Sequence, residues 1–301
     1  MSECVSYLNG EWVPNSQMKI NVADRGVAKA DAIYDVARTY NGKVFKLERH
    51  VERLRRSMKY TRMNSKLSAG EIGQIMEEGA QRNEGLRKQY GDFYLWPFVT
   101  RGVGLWAYTA GPCTIGVQVI PLPFDRFAKY FHTGAHGVIV KTRSYAPGTV
   151  DPRVKHYSRM NFAMAELEAN DVEPGGWPIL TDVYGNLTEG TINSIFMVSR
   201  GVIRTPCDRS ILPSISRSVV FDLAKQLGIR VVEEDLQPYD LYAADEAFIT
   251  FTGPGVLPMT HVDKRIIGDG KPGSVTKRLL TAWSKLAGLD VVDQAMRYAR
   301  L

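Results

Sequence analysis

A proline-bounded break at Pro121-Leu-Pro123 divides this 301-residue chain into two stretches that each mix strand and helix patterning. Proline fixes φ and removes a ladder donor, so neither a helix nor a central strand runs through the pair. Ahead of the break, SYLNGEWV reads as strand–turn–strand about Asn9-Gly10. Tyr34–Tyr40, then Asn41-Gly42, then Lys43-Val-Phe45 repeat that hairpin grammar. From His50 the spacing changes to Val51, Leu54 and Met58, one face of a helix. A second helix is expected from Ser68 to about Asn83, followed by strands over Phe93–Arg101 and Thr114–Leu122.

Beyond the break, a strand at Gly137–Thr142 and a Pro-Gly loop lead to a helix expected from about Tyr157 to Asn170. Strands near Pro178–Asp182 and Ser194–Ser199 come next. Val219, Val220, Leu223 and Leu227 mark a helix opened by the Ser214–Ser216 turn. A Gly-Pro-Gly loop and a helix over about Ser274–Ala287 follow. Mixed elements on both sides predict an α/β or α+β protein of two domains. The expected division is residues 1–121, an interdomain linker over 122–132, and residues 133–301. A chain of this length suits two cores better than one.

Charge and cysteine usage exclude several classes. The net charge of +6 is spread along the chain, so nucleic-acid binding is not favoured, although an anionic cofactor or substrate would suit it. Cys4, Cys113 and Cys207 are too widely spaced for a disulfide ladder or a CxxC metal pair, so no metal is expected. Reduced thiols in the cytoplasm are the simplest account. The N-terminus has no basic region ahead of an apolar core, and no apolar run reaches ~18 residues, so neither a signal peptide nor a membrane span is expected.

Five short segments carry chemistry, each weak alone. Lys155 lies in Asp-Pro-Arg-Val-Lys-His-Tyr ahead of a helix, where a lysine is usually a solvated charge. Glu189 lies in Leu187-Thr-Glu-Gly-Thr191 after the turn Tyr184-Gly-Asn186. Leu212-Pro-Ser-Ile-Ser-Arg217 opens a helix whose unpaired first-turn amides suit a phosphate, although a plain serine cap explains it equally. Thr250-Phe-Thr-Gly-Pro-Gly255 is a small-residue turn able to approach an anion. Arg53 falls off the Val51/Leu54/Met58 face, so a surface position is expected for it.

In this order the segments resemble the fold-type IV pyridoxal-5′-phosphate (PLP) family. That family holds branched-chain aminotransferases, D-amino acid aminotransferases, (R)-selective amine transaminases and aminodeoxychorismate lyases. The likeness runs from about Asp24 to Leu280, strongest at Phe45–Leu54, Lys155, Thr188-Glu-Gly190, Leu212–Arg217 and Arg265–Gly273. It implies a small N-terminal and a larger C-terminal α/β domain with the cofactor between them, in a homodimer. It makes Lys155 the Schiff-base lysine and proton carrier, Glu189 the partner of the pyridine nitrogen, and Leu212 a packing surface for the ring. Arg53, Ile215, Ser216 and Thr252 would hold the phosphate. The chain departs from the family in having Ser214-Ile-Ser216 for Gly-Ile-Thr, and Ser194 where an Asn is usual.

The substrate side of the resemblance is less uniform. Trp96 stands in Phe93-Tyr-Leu-Trp-Pro97 where branched-chain enzymes carry an arginine, and Trp106 and Tyr108 stand where D-amino acid enzymes have Arg-x-His. With Tyr34 and Tyr94, these aromatics suggest a pocket for an apolar amine, and Pro147–Lys155 looks like the (R)-amine transaminase version of its segment. Arg38, with Arg101 as second choice, would then hold the carboxylate of a 2-oxo acid such as pyruvate. The expected reaction is transamination between an (R)-amine and a 2-oxo acid. Branched-chain or D-amino acid transamination is the alternative, and an aminodeoxychorismate lyase a further one.

Overall fold

A computed structural model describes residues 3–299. The chain divides into two compact units, one of residues 1–122 with 154–158, the other of residues 123–153 with 159–301.

The first unit holds β1 (Val5–Leu8), β2 (Glu11–Pro14), α1 (Arg25–Lys29), β3 (Ala32–Tyr34), β4 (Ala37–Tyr40) and β5 (Lys43–Val44). Then come α2 (Leu47–Thr61), α3 (Ala69–Arg82), α4 (Arg87–Tyr90), β6 (Phe93–Thr100) and β7 (Ile115–Pro121). The strands make one antiparallel sheet in the order β2-β1-β7-β6-β4-β5, with β3 also paired to β6. Alternation along β6 sorts its two faces. Phe93, Leu95 and Val99 are fully buried in a core with Leu54, Ile72, Met76, Val117 and Val119, while Tyr94 and Trp96 keep part of their surface open. Each such core side chain is worth roughly 1.5–3 kcal/mol relative to exposure. α3 begins where Ser68 caps it: Ser68 Oγ accepts the Glu71 N–H, and the Glu71 carboxylate accepts the Ser68 N–H in return.

The second unit holds α5 (Tyr130–Thr133), β8 (Ala135–Arg143), α6 (Met160–Val172), β9 (Trp177–Thr181), β10 (Ser194–Ser199) and β11 (Val202–Pro206). It continues with α7 (Ile215–Gln226), β12 (Val231–Glu234), α8 (Pro238–Tyr242), β13 (Glu246–Phe251), β14 (Gly255–Val262) and β15 (Arg265–Ile266), and ends with α9 (Ser274–Ala287) and α10 (Val291–Tyr298). Its mixed sheet runs β12-β11-β10-β13-β14-β8-β9, with β15 on β14. Gly255 opens β14 at φ +77, and the Trp283 ring of α9 lies 2.5 Å from where a Cβ would stand. Only glycine satisfies both demands.

Several boundaries differ from the sequence expectation. The helix expected from Tyr157 starts at Met160, because the Tyr157 N–H is bonded to Ala32 O and holds the chain extended. Residues 122–132 carry a 3₁₀ turn at Phe124–Arg126 and the start of α5, and from Pro123 onward they belong to the second unit. α10 carries no expected counterpart; Asp290 caps it by accepting from Val292 and Asp293.

Candidate functional site

The first unit brings Lys155 to the edge of β3. The Tyr34 N–H donates to Lys155 O (2.9 Å), the Tyr157 N–H to Ala32 O (3.0 Å), and Ser158 Oγ to Ala30 O (3.2 Å). Residues 154–158 are thereby stitched to the sheet as a short extended piece. Lys155 Nζ stands 4.7 Å from the centroid of the Tyr34 ring. That ring stacks on Trp96 (5.5 Å, 16°) and packs against Tyr157 (4.4 Å, 33°), and the Trp96 indole N–H donates to the Tyr157 hydroxyl at 2.9 Å.

α2 supplies a polar stripe beneath the lysine segment. His50, Arg53 and Ser57 are spaced three and four residues apart and all are buried. The Lys155 N–H points at Ser57 Oγ (3.4 Å). Arg53 is therefore not the surface residue expected of it. It is 7% exposed because Asp35, between β3 and β4, takes its Nε and Nη2 at 2.8 Å each. His50 Nδ1 meets the same carboxylate at 2.6 Å, and the Val36 N–H donates to it as well. Burial alone would raise the Asp35 pKa, but the Arg53 guanidinium and His50 more than offset it and hold the carboxyl far below its usual range. His50 is pushed down, first by burial and then by the neighbouring Arg53 and Lys155 charges, against the pull of Asp35. A neutral imidazole facing a carboxylate must carry its proton on Nδ1.

Of the other residues expected near a substrate, Tyr94 and Arg38 face each other across β6 and β4. Arg38 is 2% exposed, its Nε donates to Thr39 O, and its guanidinium lies 3.8 Å over the Tyr40 ring. Arg101 is bonded to Asp31 (2.7 Å) and to the carbonyls of Thr61 and Arg62 at the end of α2. Trp106 and Tyr108 stack on each other and are 57% and 84% exposed. Tyr108 borders a groove of about 880 Å³ with Arg62, Lys66, Arg101 and Cys113.

The second unit assembles Glu189, Leu212, Ile215, Ser216 and Thr252. Glu189 is buried, and the Leu212 N–H donates to its Oε1 at 3.2 Å. Ile215 and Ser216 form the first turn of α7, capped by Ser214, whose Oγ accepts the Arg217 N–H. Amides in that turn have no partner within the helix. Thr252 directly follows β13. Glu189 bridges to Ser194, and Ser194 pairs with Thr250, so the three side chains share one face of neighbouring strands. Ser194 Oγ and Thr250 Oγ1 are buried there, and among the described residues neither has a hydrogen-bond partner. Buried hydroxyls are rarely left unpaired, so a polar ligand belongs on this face. A carboxylate, two open hydroxyls and a helix N-terminus within one unit fit a protonated pyridine ring bearing a phosphate. Sequence reasoning missed Asp35, His50, Thr250 and Tyr157. His50, Tyr157 and Thr250 lie in segments that the sequence singles out, whereas nothing local marks Asp35.

Known proteins resemble the chain along nearly its full length. The model of the amino-transferase class IV family matches residues 32–262. A Methanocaldococcus jannaschii protein described provisionally as a branched-chain-amino-acid aminotransferase is 35% identical over 96% of this chain and 99% of its own. The D-alanine aminotransferase of Bacillus licheniformis is 29% identical over 91% of this chain and 94% of its own. Among solved structures, the T.th. branched-chain amino acid aminotransferase with pyridoxamine 5′-phosphate superposes at a TM-score of 0.85. It is 25% identical, and the match covers 99% of this chain and 97% of that one. The Escherichia coli branched-chain amino acid aminotransferase matches at a TM-score of 0.84 and 27% identity over 95% of both chains.

Proposed function

Given that this chain belongs to the amino-transferase class IV family and is a PLP-dependent aminotransferase, we propose that it moves an amino group between an α-amino acid with an apolar side chain and a 2-oxo acid. The carrying observation is the Lys155 amine standing over the Tyr34 ring in a cluster closed by Trp96 and Tyr157. A substrate carbon within reach of that amine meets aromatic walls, which reward an apolar side chain at ~25 cal/mol per Å² buried. The branched-chain names of the Methanocaldococcus jannaschii relative and of the solved structures support the same substrate class.

When bound, PLP supplies an aldehyde that captures the amino group and a ring that takes up electrons from the substrate carbon. In this proposal Lys155 holds the cofactor through its amine and moves the proton at the substrate carbon. Glu189 keeps the ring nitrogen protonated, and Leu212 packs on the ring. Arg53, the Ile215 and Ser216 amides, the Ser216 hydroxyl and Thr252 hold the phosphate. Arg53 arrives pre-oriented, since Asp35 fixes two of its N–H vectors. A homodimer and a cytoplasmic location belong to the same proposal; three free cysteines are compatible with the latter.

Trp96 in the aromatic cluster favours one other reading, an (R)-amine donor with a 2-oxo acid acceptor. Mixing the holoenzyme with L-leucine, D-alanine or (R)-1-phenylethylamine and following the visible absorbance of the cofactor separates the two. The fastest bleaching is expected with L-leucine. A faster reaction with (R)-1-phenylethylamine than with either amino acid would reverse the assignment of the donor.

A further inference from the structure

Lys155 and Tyr157 are two residues apart on the piece paired with β3, so both side chains leave the same face. Both lie against the Tyr34 ring, the amine at 4.7 Å and the Tyr157 ring at 4.4 Å. Tyr34 is 6% exposed, while Trp96, Lys155 and Tyr157 around it are half-buried and keep part of their surface open. The indole nitrogen of Trp96 can only donate, so the Tyr157 oxygen is the acceptor of their 2.9 Å bond. The phenol's own proton is therefore aimed at a different partner. Burial pushes the Tyr157 pKa well above the usual tyrosine range, which keeps that proton in place at any physiological pH.

A carboxylate brought to this cluster needs a donor, because aromatic walls return none of its lost hydration. Arg101 is committed to Asp31 and to the end of α2, and Arg38 is buried against Tyr40 and Thr39. We propose that Tyr157, oriented by Trp96, is a substrate-binding residue that donates its phenol proton to the carboxylate of the amino acid and of the 2-oxo acid. The inference rests on the aminotransferase reading of Lys155 and deepens it. The carboxylate is bonded to the carbon whose amino group is exchanged, so a donor beside the Lys155 amine stands within reach of it. A charge-assisted bond from a neutral donor rewards acids and gives nothing to an amine that lacks a carboxylate.

Tyr157→Phe keeps the ring and its packing on Tyr34 and removes only the donor. In the holoenzyme, KM for L-leucine and for its 2-oxo acid should rise about tenfold, as expected for one lost bond to a charged group. The turnover number and the visible band of the bound cofactor should stay as they are. Calorimetric titration with 4-methylvalerate, an unreactive carboxylate, should show affinity weakened by a similar factor. Trp96→Phe, which removes the orienting donor, should shift both readings in the same direction by less. Unchanged carboxylate affinity in Tyr157→Phe overturns the proposal. So does a shifted cofactor band with carboxylate affinity intact, which would assign the phenol to the cofactor instead. The titration needs no turnover, so it reads carboxylate binding even where the donor panel rejects L-leucine.

Discussion

Burying Asp35 beside Arg53 and His50 takes a carboxylate, a guanidinium and an imidazole out of water together, and mutual pairing offsets the cost. Removing the charge takes from the buried Arg53 guanidinium the carboxylate that accepts from its Nε and Nη2. Asp35→Asn should therefore cost about 3–5 kcal/mol, read from denaturant unfolding at pH 7. The direction with pH follows from the two shifts. Both groups titrate lower in the folded chain than in the unfolded one, so acid is taken up preferentially by the unfolded state. The His50 contribution is complete above about pH 6.5 and declines below it, and the Asp35 contribution is lost only below about pH 4. Melting temperature should accordingly fall on acidification in two stages, and Asp35→Asn should lack the lower one. At Lys155, replacement by Ala should remove the visible absorbance of the cofactor and lower turnover by many powers of ten. Ordinary activity in that variant would refute the role. Lys155 and Glu189 were legible as candidates because each sits in a short motif. Asp35 was not, since nothing local marks it and its partners come from α2, fifteen and eighteen residues on.

Where elements begin was readable only when the deciding bond is local. Ser68 and Glu71 are three residues apart, and α3 starts beside them as the spacing predicts. Ser68→Ala should destabilise the first unit by about 1 kcal/mol, seen as a small drop in unfolding midpoint with the slope unchanged. An unaltered midpoint would mean that packing on β6 and β7 alone sets the start of the helix. α6 is the opposite case. Its sequence pattern runs back to Tyr157, but a backbone bond to Ala32, 125 positions away in the chain, keeps Tyr157 extended. Propensity windows carry no information about such a bond. The same holds for Arg53: it lies off the Val51/Leu54/Met58 face, which left it free to be at the surface, yet it is buried because a buried guanidinium follows its counter-ion rather than its hydropathy.

For the whole molecule, two mixed α/β units were legible in the proline break and in the patterning on either side of it. Nothing in composition showed that the first unit recruits residues 154–158. Assembly is the property to measure at this scale. Leu105, Trp106 and Tyr108 are 76%, 57% and 84% exposed within one loop, more apolar surface than a monomer usually leaves open in so short a stretch. A second copy of the chain is the expected partner, in line with the family resemblance. Sedimentation velocity should give a dimer, and the double variant Trp106→Ser, Tyr108→Ser should shift it towards single chains. An active monomer would rule that out. The borrowed segment also has a consequence for the gene. A cut between codons 122 and 123 leaves the first fragment without the piece that completes β3, and the second with that piece but no sheet to receive it. Co-expression of the halves then becomes a reporter, in which docking of residues 154–158 onto β3 should be read directly as restored colour and turnover.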